Sequence, residues 1–178
     1  MAINSLVRSR HTAGRNTEKT KQFISFRLRQ EWFVLPIDSV QRVIQMGKVY
    51  GDPQGTGVSL TNFQGQEIIV VDVAHLIFGE TSSLVQEQKQ SLSTNEKNQP
   101  RILLIIQSDK GEIVGLPVDS TPIMRRVPDS AFTPIPETYI AQGNVRCISS
   151  TMIQLSDQPP LFLLDPNQLV EPQKLSGF

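Results

Sequence analysis

The apolar residues of this chain fall at every second position or in short unbroken runs, which are the patterns of strands. Phe23-Ile-Ser-Phe-Arg-Leu-Arg alternates with a period of two, and Gln30-Glu31 can turn it into Trp32-Phe-Val-Leu-Pro-Ile, making a hairpin. Ile68-Ile-Val-Val reads as a short buried strand, and residues 73–78 have room for one or two helical turns stopped by Gly79. Ile102-Leu-Leu-Ile-Ile is the most apolar run, and Ser108-Asp-Lys-Gly turns it into Glu112-Ile-Val-Gly-Leu-Pro-Val, a second hairpin. Residues 145–155 and 161–164 complete the expected strand set. The helical stretches are too short to build a layer, so an all-β barrel or sandwich is predicted.

One internal echo says more than any single strand. The first hairpin ends in Leu35-Pro-Ile-Asp-Ser and the second in Leu116-Pro-Val-Asp-Ser, each after two apolar strands. A match in the same context implies a repeated supersecondary unit, hence two similar β-subdomains, one nucleated by each hairpin. Pro36 and Pro117 lack the amide that a central strand needs, so each is expected at a strand edge or end.

Polar stretches set the boundaries. Residues 1–21 carry Arg8, Arg10, Arg15, Lys19 and Lys21 against Glu18 alone and few large apolar groups, which predicts a disordered basic arm. Residues 80–100 are rich in Ser, Gln, Glu and Lys and read as an insertion or linker, with room for a short helix over 84–89. One domain of two subdomains is expected over 22–172, with a tail at 173–178. Lys and Arg balance Asp and Glu at 17 each, which gives no reason to expect a nucleic-acid or anionic-membrane binder. The lone Cys147 excludes an intramolecular disulfide and reads as a small core residue. No signal-peptide pattern and no membrane-length apolar run is present, so a cytoplasmic protein is expected.

Candidate chemistry is sparse. Asp38, Asp72, Asp119 and Asp165 each end an apolar run, which admits a carboxylate cluster for a hard cation or acid–base work. The preferred reading is that each caps the turn or short helix that follows it, since Asp165 precedes Pro166 and Asp72 precedes Val73-Ala-His-Leu. His11 lies in the arm, and His75 reads as a structural residue of a half-buried turn. Phosphate loops, paired cysteines and a serine elbow are missing from the sequence, so no enzyme and no cofactor is expected. Trp32, Tyr50 and Tyr139 are read as not set among positive charges, which argues against base stacking. Protein binding remains, through residues 40–44, residues 122–127 or the turn at 62–65.

Over residues 23–170 the chain resembles the CheW-like domain family. Ile37-Asp-Ser-Val-Gln-Arg-Val is similar to the segment after that family's first hairpin. Asn62-Phe-Gln-Gly followed by Ile68-Ile-Val-Val-Asp resembles its Asn-Leu-Arg-Gly turn, strand and Asp. Val114-Gly-Leu-Pro-Val-Asp resembles its second hairpin strand, and Leu161-Phe-Leu-Leu-Asp with Gln168-Leu its closing strand and helix. The resemblance implies two intertwined SH3-like five-stranded β-barrels. It also implies a signalling adaptor that couples the cytoplasmic tip of methyl-accepting chemoreceptors to the regulatory domain of a CheA-type histidine kinase. Val40, Val43 and Ile44 are then expected on a kinase-facing surface, and Asn62, Phe63 and Gln64 beside a receptor groove. The alternative is an oligomerisation or nucleic-acid-binding barrel outside chemotaxis.

The chain departs from the family pattern in that turn: Gln64 replaces a frequent Arg, Ile69 a frequent Pro, Phe63 a Leu, and a Gly is displaced to Gly57. These changes bear on receptor choice rather than fold, and point to a divergent pathway such as surface or pilus-driven motility or phototaxis.

Overall fold

The computed structural model describes residues 18–52, 55–79, 101–142 and 147–171. Most of the expected arm, the 80–100 insertion with its short helix, His11 and the C-terminal tail lie outside them. The described chain forms β1 (Thr20–Leu28), β2 (Glu31–Pro36), β3 (Val40–Gln45), β4 (Val49–Tyr50), β5 (Val58–Phe63), β6 (Gln66–Val71) and α1 (Val73–Phe78). After the insertion follow β7 (Ile102–Gln107), β8 (Ile113–Val118), β9 (Ile123–Pro128), β10 (Phe132–Pro134), α2 (Glu137–Gln142), β11 (Ile148–Ile153), β12 (Leu161–Leu164) and α3 (Pro166–Val170).

Both hairpins form as expected, with details shifted. The first turn falls at Arg29-Gln30 rather than Gln30-Glu31, and Arg29 takes a left-handed φ of 56°. β1 begins at Thr20, inside the segment expected as arm, because β9 extends far enough to pair with Thr20 and Lys21. The Lys21–Asp129 ion pair at 3.3 Å and the Ser130 amide donating to Glu18 Oε1 at 3.0 Å continue that tie outward. Five strands absent from the expected set also form: β3, β4, β5, β9 and β10.

The ladders interleave the two halves of the chain. The first sheet runs β10-β11-β12-β2-β1-β9 and the second β3-β7-β8-β6-β5-β4. Each hairpin therefore joins strands from the opposite half. Reading the second order backwards shows the repeat: β1–β2 matches β7–β8, β3 matches β9, and β5–β6 matches β11–β12. The register agrees residue by residue. Pro36 pairs with Phe23 as Pro117 pairs with Leu103, and the parallel pair Phe33–Phe162 corresponds to Val114–Ile69. The Leu-Pro-(Ile/Val)-Asp-Ser echo marks the point in each half where the chain leaves its hairpin and crosses to the other sheet. Pro36 ends β2, and Pro117 lies beyond Gly115, the last residue of β8 that β6 reaches.

Two-sided burial explains the continuous apolar runs. In the hairpins, Phe26, Leu28, Phe33, Leu35, Leu104, Ile106, Val114 and Leu116 face a central core shared by both sheets. The alternate residues face two smaller clusters: Phe23 and Val34 meet Val127, Ile153 and Leu161, while Leu103 and Ile105 meet Val49, Ile68 and Val70. Gly115 belongs to this second set, and a Cβ there would stand 3.1 Å from the Leu103 side chain, so the small cluster has no room for one. Each sheet curls far enough for its edge strands to share a cluster, Val127 of β9 with Phe132 of β10 in the first and Ile44 of β3 with Val49 of β4 in the second. The expected five-stranded SH3-like barrels are not what the ladders show. Among the described residues each sheet has six strands and stays open, because a short 3-10 turn (Asp129–Ala131) and the 46–48 link replace ladder pairing at the corners.

The four aspartates divide. Asp72 Oδ1 accepts from the His75 amide at 3.1 Å and Asp165 Oδ1 from the Asn167 amide at 2.9 Å, so these two cap α1 and α3 as expected. Asp38 and Asp119 are corrections. Asp38 lies within the 3-10 turn Ile37–Ser39, which has no side-chain cap. Asp119 Oδ2 accepts the Arg29 amide at 2.6 Å and Oδ1 lies 3.6 Å from Arg101, so it ties the end of one hairpin to the other. Cys147 is buried in the central core.

Candidate functional site

β3 ends the second sheet, paired only with β7 among the described residues, so its outer backbone is open. A register shift between Val40 and Arg42 reverses the phase of the strand. Val40 consequently packs on the central core, whereas Ile44, four residues on, packs on the second sheet's own cluster. Val43 stands opposite Leu104, on the central-core face of the sheet but at its open margin, and is 51% exposed. Of the three residues expected on one apolar surface, Val43 is the most open, while Val40 and Ile44 are half-buried and anchor the strand.

The second set lies close by. Asn62, Phe63, Gln64 and Gly65 close the β5–β6 hairpin, with Gln64 at φ 52° and Gly65 at φ 81°. Two successive left-handed residues make the tight turn that suits strand twist, and Gln64 holds this conformation without the glycine or asparagine that adopts it most readily. Asn62 Oδ1 accepts the Gly65 amide at 3.1 Å and pins the turn. Asn62 and Gln64 are exposed, while Phe63 packs against the cluster that Ile44 also covers. The Arg42 guanidinium lies over the Phe63 ring at 5.9 Å, which brings the β3 edge and the turn into one continuous surface.

Opposite Asn62 in the ladder stands Glu67, whose carboxylate accepts the Tyr50 hydroxyl at 2.8 Å. This bond, with the negative charge of Glu67, raises the Tyr50 pKa above the ordinary tyrosine value. The neutral phenol is the donor, so the contribution to stability is complete below the ordinary value and lost as pH rises through the raised one. Absorbance titration should find Tyr50 ionising above the ordinary tyrosine value, and Glu67→Gln should bring it down. An unchanged curve in Glu67→Gln would remove the assignment.

Residues 122–127, singled out in sequence beside residues 40–44, contain most of β9 (Ile123–Pro128), which matches β3 in the repeat and likewise ends its sheet. Ile123 and Met124 are 50% and 55% exposed there. Trp32 requires a correction: Arg27 and Arg125 both lie over its ring, at 5.8 and 5.7 Å, so it is set between positive charges. Sequence spacing could not show this, because Arg125 reaches Trp32 only through the β1–β9 pairing. His75 sits at the capped start of α1, against Gly57. Among the described residues no group of three His, Cys, Asp or Glu could hold a metal ion, and no helix is long and apolar enough to cross a membrane.

The profile of the CheW-like domain family matches residues 22–174. Among solved structures the chain is similar to the scaffolding protein TtCheW from Thermoanaerobacter tengcongensis. The TM-score is 0.63 at 16% identity, over 85% of this chain and 88% of that one. No curated protein matches it.

Proposed function

Because this chain belongs to the CheW-like domain family, we propose that it is a non-enzymatic cytoplasmic adaptor that couples chemoreceptors to a CheA-type histidine kinase. The observation that carries this reading is the open β3 edge, which presents the exposed Val43 on one face and, on the other, Arg42 reaching over Phe63 of the Asn62–Gly65 turn. An edge strand offers a partner unpaired backbone groups, and an exposed apolar side chain beside them adds buried area. The kinase's regulatory domain takes the β3 edge, with Val43 as contact and Val40 and Ile44 holding the strand in place. Asn62, Phe63 and Gln64 border the groove for the receptor's helical tip. With Gln64 in place of an arginine, that groove relies on neutral hydrogen bonding, which fits a divergent motility or phototaxis receptor. The similarity to a protein described as a scaffold supports the same role.

Calorimetric titration against the regulatory domain of the same organism's CheA-type kinase should show saturable one-to-one binding. Val43→Glu should weaken it about tenfold or more, because a carboxylate would be desolvated without a partner. Gln64→Glu should spare kinase binding and weaken receptor binding. A folded Val43→Glu variant that binds the kinase domain as wild type does would sink the β3 assignment.

A further inference from the structure

Arg27 comes from β1, Trp32 from β2 and Arg125 from β9, and the first sheet brings them to one place. The Arg125 guanidinium is held firmly, the Arg27 guanidinium by one longer bond. Arg125 Nε donates to Ser25 Oγ at 2.8 Å and Nη1 to Gln158 Oε1 at 2.7 Å. Ser25 is fully buried and its own hydroxyl donates to the Ile123 carbonyl at 3.1 Å, which fixes the lone pair that Arg125 uses. Arg27 Nη2 donates to Gln30 Oε1 at 3.3 Å, and its Nε is buried without a hydrogen-bond partner. Every acceptor these arginines reach is neutral, and among the described residues no carboxylate pairs with either. Two cations therefore stand together without countercharge, beside the half-exposed Ile123.

We propose that Arg27, Trp32 and Arg125, with Ile123 at the margin, form a second docking surface, which takes an acidic segment of a partner protein. Carboxylates complete the unmet charge, and a guanidinium already held on an indole loses little freedom on accepting one. Tryptophan and arginine are also the residues that contribute most where protein surfaces meet. A nucleic-acid strand fits less well, since the ring that a base would stack on is covered by guanidiniums. The surface belongs to the first sheet, apart from the β3 edge of the second.

The chain has a single tryptophan, so the fluorescence of the full-length protein reports on this surface alone. At low ionic strength, hexaglutamate should change Trp32 emission saturably while hexalysine does not. Arg27→Gln and Arg125→Gln should each weaken hexaglutamate binding about tenfold or more. Both variants should bind the CheA-type regulatory domain as wild type does, which keeps the two surfaces distinguishable. If Arg27→Gln fails to fold, Arg125→Gln decides alone. Emission that ignores hexaglutamate, folded variants that bind it unchanged, or tighter binding of an oligothymidylate of equal charge would each overturn the proposal.

Discussion

Phe33→Ala should destabilise the protein by about 3–5 kcal/mol, the range for removing a fully buried aromatic ring from a packed core. Phe33 is 1% exposed on β2, and its ring lies 5.7 Å from Phe162 of β12 and 6.5 Å from Phe78 of α1. It thus holds together a strand from the first half of the chain, a strand from the second and a short helix that carries little stability of its own. The loss is large beside the roughly 5–15 kcal/mol that holds a typical domain folded. Urea unfolding followed by Trp32 emission should show a lower midpoint with an unchanged slope. Val43→Ala, at a half-exposed edge position, should move the midpoint by about 0.5 kcal/mol or less. A cost below about 1.5 kcal/mol for Phe33→Ala would mean that the ring does not bridge the halves as described.

What the sequence revealed follows from burial. β1, β2, β6, β7, β8, β11 and β12 were legible because each carries apolar residues on one or both faces, most fully in Leu103, Leu104, Ile105 and Ile106. β5 was not, because its inward positions are Ser59 and Thr61, and Thr61 is accommodated by donating its hydroxyl to the Lys48 carbonyl at 3.0 Å. β3 and β9 alternate poorly because each has one ladder partner and an open side. The family resemblance placed Val40, Val43 and Ile44 on one surface. The bulge at Val40–Arg42 sends Val40 and Ile44 to opposite sides of the sheet, and a register shift of that kind leaves no mark in hydropathy. The duplicated hairpin was legible as a repeat, but its consequence for topology was not. Local sequence says that two units are alike, whereas which half each strand joins depends on pairings such as Ser25 with Ile123, far apart in the chain.

That exchange predicts the second large effect: neither half of the chain should fold without the other. If each hairpin nucleated a subdomain from its own half, a chain cut within residues 80–100 would yield two independently folded pieces. The observed ladders forbid this. Alone, the first half would leave β6 without β8 and β3 without β7, and would strip β12 and β9 from the two sides of its hairpin. Phe26, Leu28, Phe33 and Leu35 would lose the core they share with Leu104, Leu116, Phe162 and Leu164. Exposing several such side chains, at about 1.5–3 kcal/mol each, exceeds what a domain of this size can lose. Separated halves should therefore lack near-ultraviolet circular dichroism and cooperative melting, and mixing them at equal concentration should restore both. Recovery should be slow and concentration-dependent, because both sheets need strands from both pieces before either is stable. A half that melts cooperatively alone would show that the two sheets are separable after all, and that the central core is an interface between domains rather than the common interior of one.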